Sequence, residues 1–109
     1  MTTILISGAS GIVGYGILRS LGQTNKPLRL IGSSIYTDSV APAFCDVFEV
    51  APATDSPNYL DWLINIITKH DVDLIIPGIE ADMFAWAENI FEIERCGAKA
   101  LLNNIDLIK

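Results

Sequence analysis

One histidine, two cysteines and only seven basic residues stand in this 109-residue chain, and each scarcity closes off a class of function. Cys45 and Cys96 are too few and too far apart for a disulfide framework or a zinc site, and read as two reduced thiols of a cytosolic protein. His70 is alone, so no Ser-His-Asp or Cys-His pairing can be argued. In the last turn of a helix it is better explained as a cation favoured by the helix dipole. Seven Lys and Arg against thirteen Asp and Glu give a net charge of -6, which argues against a nucleic-acid partner. No apolar run approaches the ~20 residues of a membrane span, and "MTTILISG" lacks the basic start of a secretion signal. The expectation is a cytoplasmic protein with no membrane or nucleic-acid partner. No repeat is present, and no Gly-Lys-Ser/Thr follows the glycines to make a Walker loop.

What is there is apolar and regularly punctuated. Half the residues are hydrophobic, enough for one domain with a real core. Short apolar runs predict strands at "ILIS" (4–7), "LRLIG" (28–32), "VFEV" (47–50), "DLIIPG" (73–78) and "KALL" (99–102). Helical spacing runs from Ile12 to Leu21, with Gly22 as a stop. A second helix is expected over 56–70, capped by Ser56, with Pro57 in its first turn and Leu60, Leu63, Ile64 and Ile67 on its apolar face. A third is expected over 80–97, with an acidic first turn and Gly97 as its stop. Residues 33–45 read as a loop with a short helical turn. In "NNIDLIK", Asn103 or Asn104 could cap a further helix whose apolar face starts at Ile105, Leu107 and Ile108. The expected organisation is one domain over 1–102, with 103–109 opening a helix that leads onward in a longer protein.

Strands alternating with helices predict an α/β fold. It is a Rossmann-like three-layer sandwich with a five-stranded parallel sheet of order 3-2-1-4-5 and helices on both faces. The loops after the strands then share one edge, where ligands of such sheets bind: Gly8 to Gly11, Gly32 to Asp38, Ala51 to Ser56, Pro77 to Asp82, and Asn103 to Asn104.

"SGASGIVGYG" (7–16) puts four glycines in the first of these loops and the helix after it. Gly8 can make a sharp turn, Gly11 can admit backbone or ligand, and Gly14 and Gly16 can let a helix sit close to the sheet. The turn could cradle an anion at the helix N-terminus, or it could serve packing alone. A dinucleotide site would also need an acid at the end of the second strand, or an Arg for a 2′-phosphate. Ser33 and Ser34 stand there, and the first acid is Asp38. The second cluster is "PGIEAD" (77–82). Glu80 and Asp82 at a helix mouth could serve only the dipole, or Glu80 could meet a substrate amine or orient a neighbouring domain. Trp62 and Trp86 read as packing residues, and Tyr36 as a cover for the sheet edge or a ligand contact.

"ILISGASGIVGYGILRSL", "APAFCDVFEVAP", "YLDWLINIITKHDVDLIIPGIEADM" and "GAKALLNN" together resemble the N-terminal (pre-ATP-grasp) domain of ATP-grasp ligases, in particular proteins like the carbamoyl phosphate synthase large subunit. The resemblance covers essentially the whole chain, and its most particular pieces are "APAFCD", ending in Asp46, and "DLIIPGIE". It implies a domain inactive alone. ATP and magnesium would lie in later domains, which are this domain's partners. Those domains phosphorylate a carboxylate to an acyl phosphate that an amine then attacks. It also implies that this domain supplies one wall of the site for a small carboxylate or amine substrate, through Gly8, Ala9, Ser10 and Gly11 and through Gly78, Ile79 and Glu80. No catalytic residue, metal ligand or cofactor contact is expected in this chain, and a homo-oligomer is left open. Relatives often carry an acid where Ser33 and Ser34 stand here. The rival readings are an NAD(P)-binding domain of an oxidoreductase and a non-catalytic interaction or regulatory domain.

Overall fold

The computed structural model describes residues 2–23, 25, 27–35 and 41–101. The expectations for Tyr36, Asp38, Leu102 and residues 103–109 fall outside these. The elements in order are β1 (Thr2–Ile6), α1 (Ile12–Gly22), β2 (Leu28–Ser34), a 3₁₀ turn (Ala41–Phe44), β3 (Val47–Val50), α2 (Tyr59–His70), β4 (Leu74–Ile76), α3 (Glu80–Glu88), α4 (Ile90–Arg95) and β5 (Lys99–Ala100). All strand pairs are parallel and the sheet order is β3-β2-β1-β4-β5, as the alternation of strands and helices predicts.

Successive side chains of a strand point to opposite faces, and here they divide the core in two. Ile4 and Ile6 pack with Leu30 and Ile76 beneath Leu18 of α1. Leu5, Ile31 and Ile75 face the other way, onto Leu63, Ile66 and Ile67 of α2, Trp86 of α3 and Ile93 of α4. Each layer excludes water from one side of the central strands, which explains their unbroken apolar runs. The inward face of α2 is Tyr59, Leu63, Ile66 and Ile67, with Leu60 and Ile64 half-buried at its margin. On the α1 side a 3₁₀ turn is all the helix among the described residues between β2 and β3. Its Phe44 meets Tyr15 of α1 edge-on at 5.4 Å between ring centres, under the Arg19 guanidinium at 5.0 Å.

Two aspartates fasten the edge of the sheet where the strands begin. Asp46, just before β3, takes the Leu30 N–H on its carboxylate at 2.7 Å and donates its own N–H to the Leu30 carbonyl at 2.8 Å. Asp73, just before β4, does the same with Thr3, both at 2.9 Å. Each thus fixes one neighbouring strand against another.

Several expected boundaries move. The helix expected from Ser56 begins at Tyr59: the Ser56 hydroxyl bonds the Asn58 side chain, and Ala53 to Tyr59 is closed by turn hydrogen bonds instead. Asp, Ser, Pro and Asn in succession favour turns for this reason. The helix expected over 80–97 is two helices. Asn89 leaves helical geometry (φ -118°, ψ 25°) and its amide donates to the Ala85 carbonyl at 2.8 Å, a local bond that competes with helix continuation. Gly97, at φ 101°, does end α4. Strand β2 runs two residues further than expected, so Ser33 and Ser34 pair with Glu49 and Val50 inside the sheet. Gly22 lies within the last turn of α1, and Gln23 caps it.

Candidate functional site

The glycine turn is built against the loop after β4. Gly8 has φ +59°, the left-handed conformation that favours glycine. A Cβ on Gly14 would lie 2.2 Å from the Gly8 carbonyl oxygen, and one on Gly78 would lie 2.1 Å from that of Ser7. The Ser7 hydroxyl also accepts the Gly78 N–H at 3.2 Å. Gly14 and Gly78 therefore exist to let three backbones touch. Gly16 has open space around it and plays no part in this approach, contrary to the sequence expectation.

Beside this contact, at the edge where the strands end, is a cavity of about 280 Å³. Gly8 and Gly11 form one side, the β2 end at Ser33 to Ile35 another, Ala51 to Thr54 a third, and Ile79 a fourth. The main chain around it is already engaged: Ser33 O accepts the Ala9 N–H and Ser34 O accepts the Ala51 N–H, both at 2.9 Å. Ser33 and Ser34 are buried, and no acid stands at the end of β2.

The chemistry of the cavity sits at Asp82, the third residue of α3 and 3% exposed. Its Oδ1 accepts hydrogen bonds from the Thr54 hydroxyl and the Tyr59 phenol, each at 2.7 Å. Tyr59 in turn accepts the indole N–H of the fully buried Trp86 at 2.9 Å. Burial, then the Asp82 charge and hydrogen bond, push the Tyr59 phenol far above its ordinary value. Its proton therefore stays on, and Tyr59 serves as a fixed donor. Among the described residues the ion pairs are those of Lys69 and His70 with Glu49, so no cation there neutralises Asp82.

Of the residues expected to form a substrate wall, Gly8, Gly11 and Ile79 line the cavity. Ala9 is fully buried beneath the turn, Ser10 is half-buried on it, and Gly78 is buried behind it. Glu80 is exposed at the start of α3 and does not line the cavity. Sequence reasoning passed over Asp82, Thr54 and Tyr59 as a unit. A signal was available: with Trp86 inward, the residue one turn earlier in a helix shares its face, and that is Asp82 rather than Glu80.

The remaining reactive side chains are spent elsewhere. His70 Nε2 lies 2.7 Å from Glu49, and its Nδ1 and main-chain carbonyl lie within 3.3 Å of the Arg29 guanidinium. Burial, with a smaller push from the Asp46 charge, raises the Cys45 thiol above its usual 9.0 despite a hydrogen bond from Gly32, and so disfavours the thiolate. A larger cavity of about 450 Å³ opens between α1 and the 3₁₀ turn, reaching Asp46, whose carboxylate is already engaged with Leu30. Among the described residues no group of three His, Cys, Asp or Glu could hold a metal ion, and no helix is long and apolar enough to cross a membrane.

A parallel sheet of this order, with a glycine turn after its first strand, defines a Rossmann-like α/β domain. Residues 17–101 match the family model for the PylC-like, N-terminal domain. The chain belongs to that family, the pre-ATP-grasp domain of ATP-grasp ligases. No curated protein matches it. Among solved structures it is similar to the PbgP3 protein from Burkholderia pseudomallei, at 19% identity and a TM-score of 0.52 over 70% of this chain. That likeness is one of fold, and the match spans 22% of the longer chain.

Proposed function

We propose that this domain forms one wall of the acceptor-substrate site of an ATP-dependent carboxylate–amine ligase. The ligase works through an acyl phosphate, in the manner of carbamoyl phosphate synthase-like enzymes, and the domain is inactive alone. The observation that carries the reading is the small cavity at the sheet's ligand-binding edge, with a buried carboxylate at its base. It suits a fragment-sized substrate and falls below the ~300–1,000 Å³ usual for larger ligands. Gly8, Gly11 and Ile79 would touch the substrate, with Ala9, Ser10 and Gly78 shaping the loops that hold them. Glu80, facing outward, would serve domain docking.

ATP and magnesium do not fit the residues here. Among the described residues the cavity has no Lys or Arg in its lining, the charged residue found there, Asp82, would repel phosphate, and no metal cluster is present. Both belong to the ATP-grasp domains, which are this domain's proposed partners in a cytoplasmic enzyme. Two apolar side chains suited to such docking stand exposed at the cavity, Ile35 at 51% and Ile79 at 42%. The test uses a protein carrying this domain together with ATP-grasp domains. ATP consumption should require a carboxylate, and hydroxylamine should trap its acyl phosphate. Binding of NAD(H) or NADP(H) to the present chain at low micromolar Kd, roughly -8 kcal/mol, would overturn the reading in favour of an oxidoreductase domain.

A further inference from the structure

We infer that Asp82 is the specificity determinant of this cavity, and that it selects a ligand presenting a primary ammonium on a short aliphatic body. The inference rests on the reading of the cavity as a substrate wall, and it names the group that wall receives. Both hydroxyl donors, from Thr54 and Tyr59, converge on Oδ1. Oδ2 accepts neither of them, in a side chain that is 97% buried and lines the cavity. A carboxylate in such a place is costly unless a cation answers it, and among the described residues none does. The first turn of α3 and two neutral hydroxyls ease the charge without cancelling it.

The walls decide what kind of cation completes the site. Ile35, Pro52, Ala53 and Ile79 give the cavity an apolar lining, unsuited to a hydrated inorganic ion. One carboxylate is also too few ligands for a hard metal. An anion would be repelled, and a neutral alcohol would leave the charge uncompensated. An alkylammonium matches all three features: it brings a charged donor to Oδ2, an aliphatic chain to the walls, and a volume that the cavity can hold. The hydroxyl donors also hold the carboxylate in place before the ligand arrives, since the Trp86–Tyr59–Asp82 chain fixes its rotamer from below.

The experiment titrates the chain with n-butylammonium, n-butanol and butyrate, following backbone amide shifts by NMR. Butylammonium should move the Gly8, Gly11 and Thr54 amides saturably, and bind at least about tenfold tighter than the other two, as a charge-assisted hydrogen bond requires. Asp82→Asn keeps an acceptor oxygen for Thr54 and Tyr59, and should erase the preference for ammonium over alcohol. Thr54→Val keeps the charge and should retain that preference, which covers the case in which Asp82→Asn fails to fold. Equal affinity for butanol and butylammonium overturns the inference. So does a preference that survives in folded Asp82→Asn, is lost in Thr54→Val, or maps away from these amides. The ligase reading stands or falls separately. Selective ammonium binding without ATP-dependent ligation in a protein bearing the ATP-grasp domains would remove only that reading. Ligation with an amine KM unchanged by Asp82→Asn would remove only this inference.

Discussion

Two glycines of α1, two residues apart, should respond to alanine in opposite directions. At Gly14 the new Cβ would sit 2.2 Å from the Gly8 carbonyl oxygen, 2.7 Å from its carbon and 2.9 Å from the Ser7 oxygen. All three are backbone atoms, so no side-chain rotation relieves the overlap. Ordinary contact begins near 3.4 Å, and the turn would have to retreat by about an ångström. It cannot do so freely, because Gly78 is packed against the same Ser7 carbonyl and against Gly14 itself. Overpacking of this kind costs about 1–3 kcal/mol or more, and rigid backbone neighbours put Gly14→Ala at the upper end. The ~1 kcal/mol that alanine gains over glycine in a helix offsets part of it. The net expectation is a loss of about 2–3 kcal/mol, or roughly 10–20 °C in Tm at about 4–8 °C per kcal/mol. At Gly16 nothing lies within 4 Å and only the helix gain remains, so Gly16→Ala should stabilise by about 0.5–1 kcal/mol. Urea and thermal unfolding of both variants, with m unchanged, reads the difference directly. If Gly14→Ala is as stable as the parent, or Gly16→Ala is the more damaging, the close approach of the turn to the loop after β4 is wrong.

Tyr59→Phe removes the oxygen that, among the described residues, accepts the buried Trp86 N–H, and should cost about 1–3 kcal/mol in chemical denaturation; a variant as stable as the parent contradicts that bond. Asp46→Ala should cost about 1–3 kcal/mol by leaving the Leu30 N–H without its carboxylate, and Asp46→Asn, which keeps an acceptor, should recover most of it in chemical denaturation. Burial alone would raise the Glu49 carboxyl, but hydrogen bonds and charge from His70 and Lys69 outweigh it and hold it below its ordinary 4.5. A lowered folded value means that stability from this group is present above about pH 4.5 and lost as the pH falls through the lower one. Glu49→Gln should therefore be less stable than the parent at pH 6, with the two converging in acid; a gap that widens below pH 4 contradicts the sign.

The sheet was legible because its evidence is repetitive. Each of the strands through the core is an apolar run closed by a turn residue, and "VFEV" is bounded by Asp46 and by "AP", so β3 falls where it is expected. Ser33 and Ser34 were harder. Polar residues usually mark the end of a strand, yet here they lie in the sheet, where pairing with β3 overrides their local preference. Asn89 shows the reverse case, a single side chain ending a helix that the surrounding apolar spacing would have continued. The shared edge of the loops follows from topology and could be placed in advance. Which acid of "PGIEAD" turns inward is not given by order along the chain, although the helical spacing of Asp82 and Trp86 points to Asp82. It depends on the phase of α3 relative to Trp86, and on Thr54 and Tyr59, more than twenty residues away in sequence, arriving at the same point.

Asp46 and Asp73 work at the end of the sheet opposite the cavity, yet they govern how accurately the cavity is built. A slip of one residue in strand pairing would turn every inward side chain outward. By holding Leu30 and Thr3 at main chain and carboxylate together, the two aspartates act as zero marks from which strand lengths are measured. The height at which Gly8, Ile35, Ala51 and Ile79 leave the sheet is then set by counting residues from the clamped end. Adding a pair of residues to one strand would raise its wall by about 6–7 Å and keep the facing of every side chain. A domain clamped at one end in this way can acquire differently shaped cavities through small changes in length at the other, with the same core beneath them.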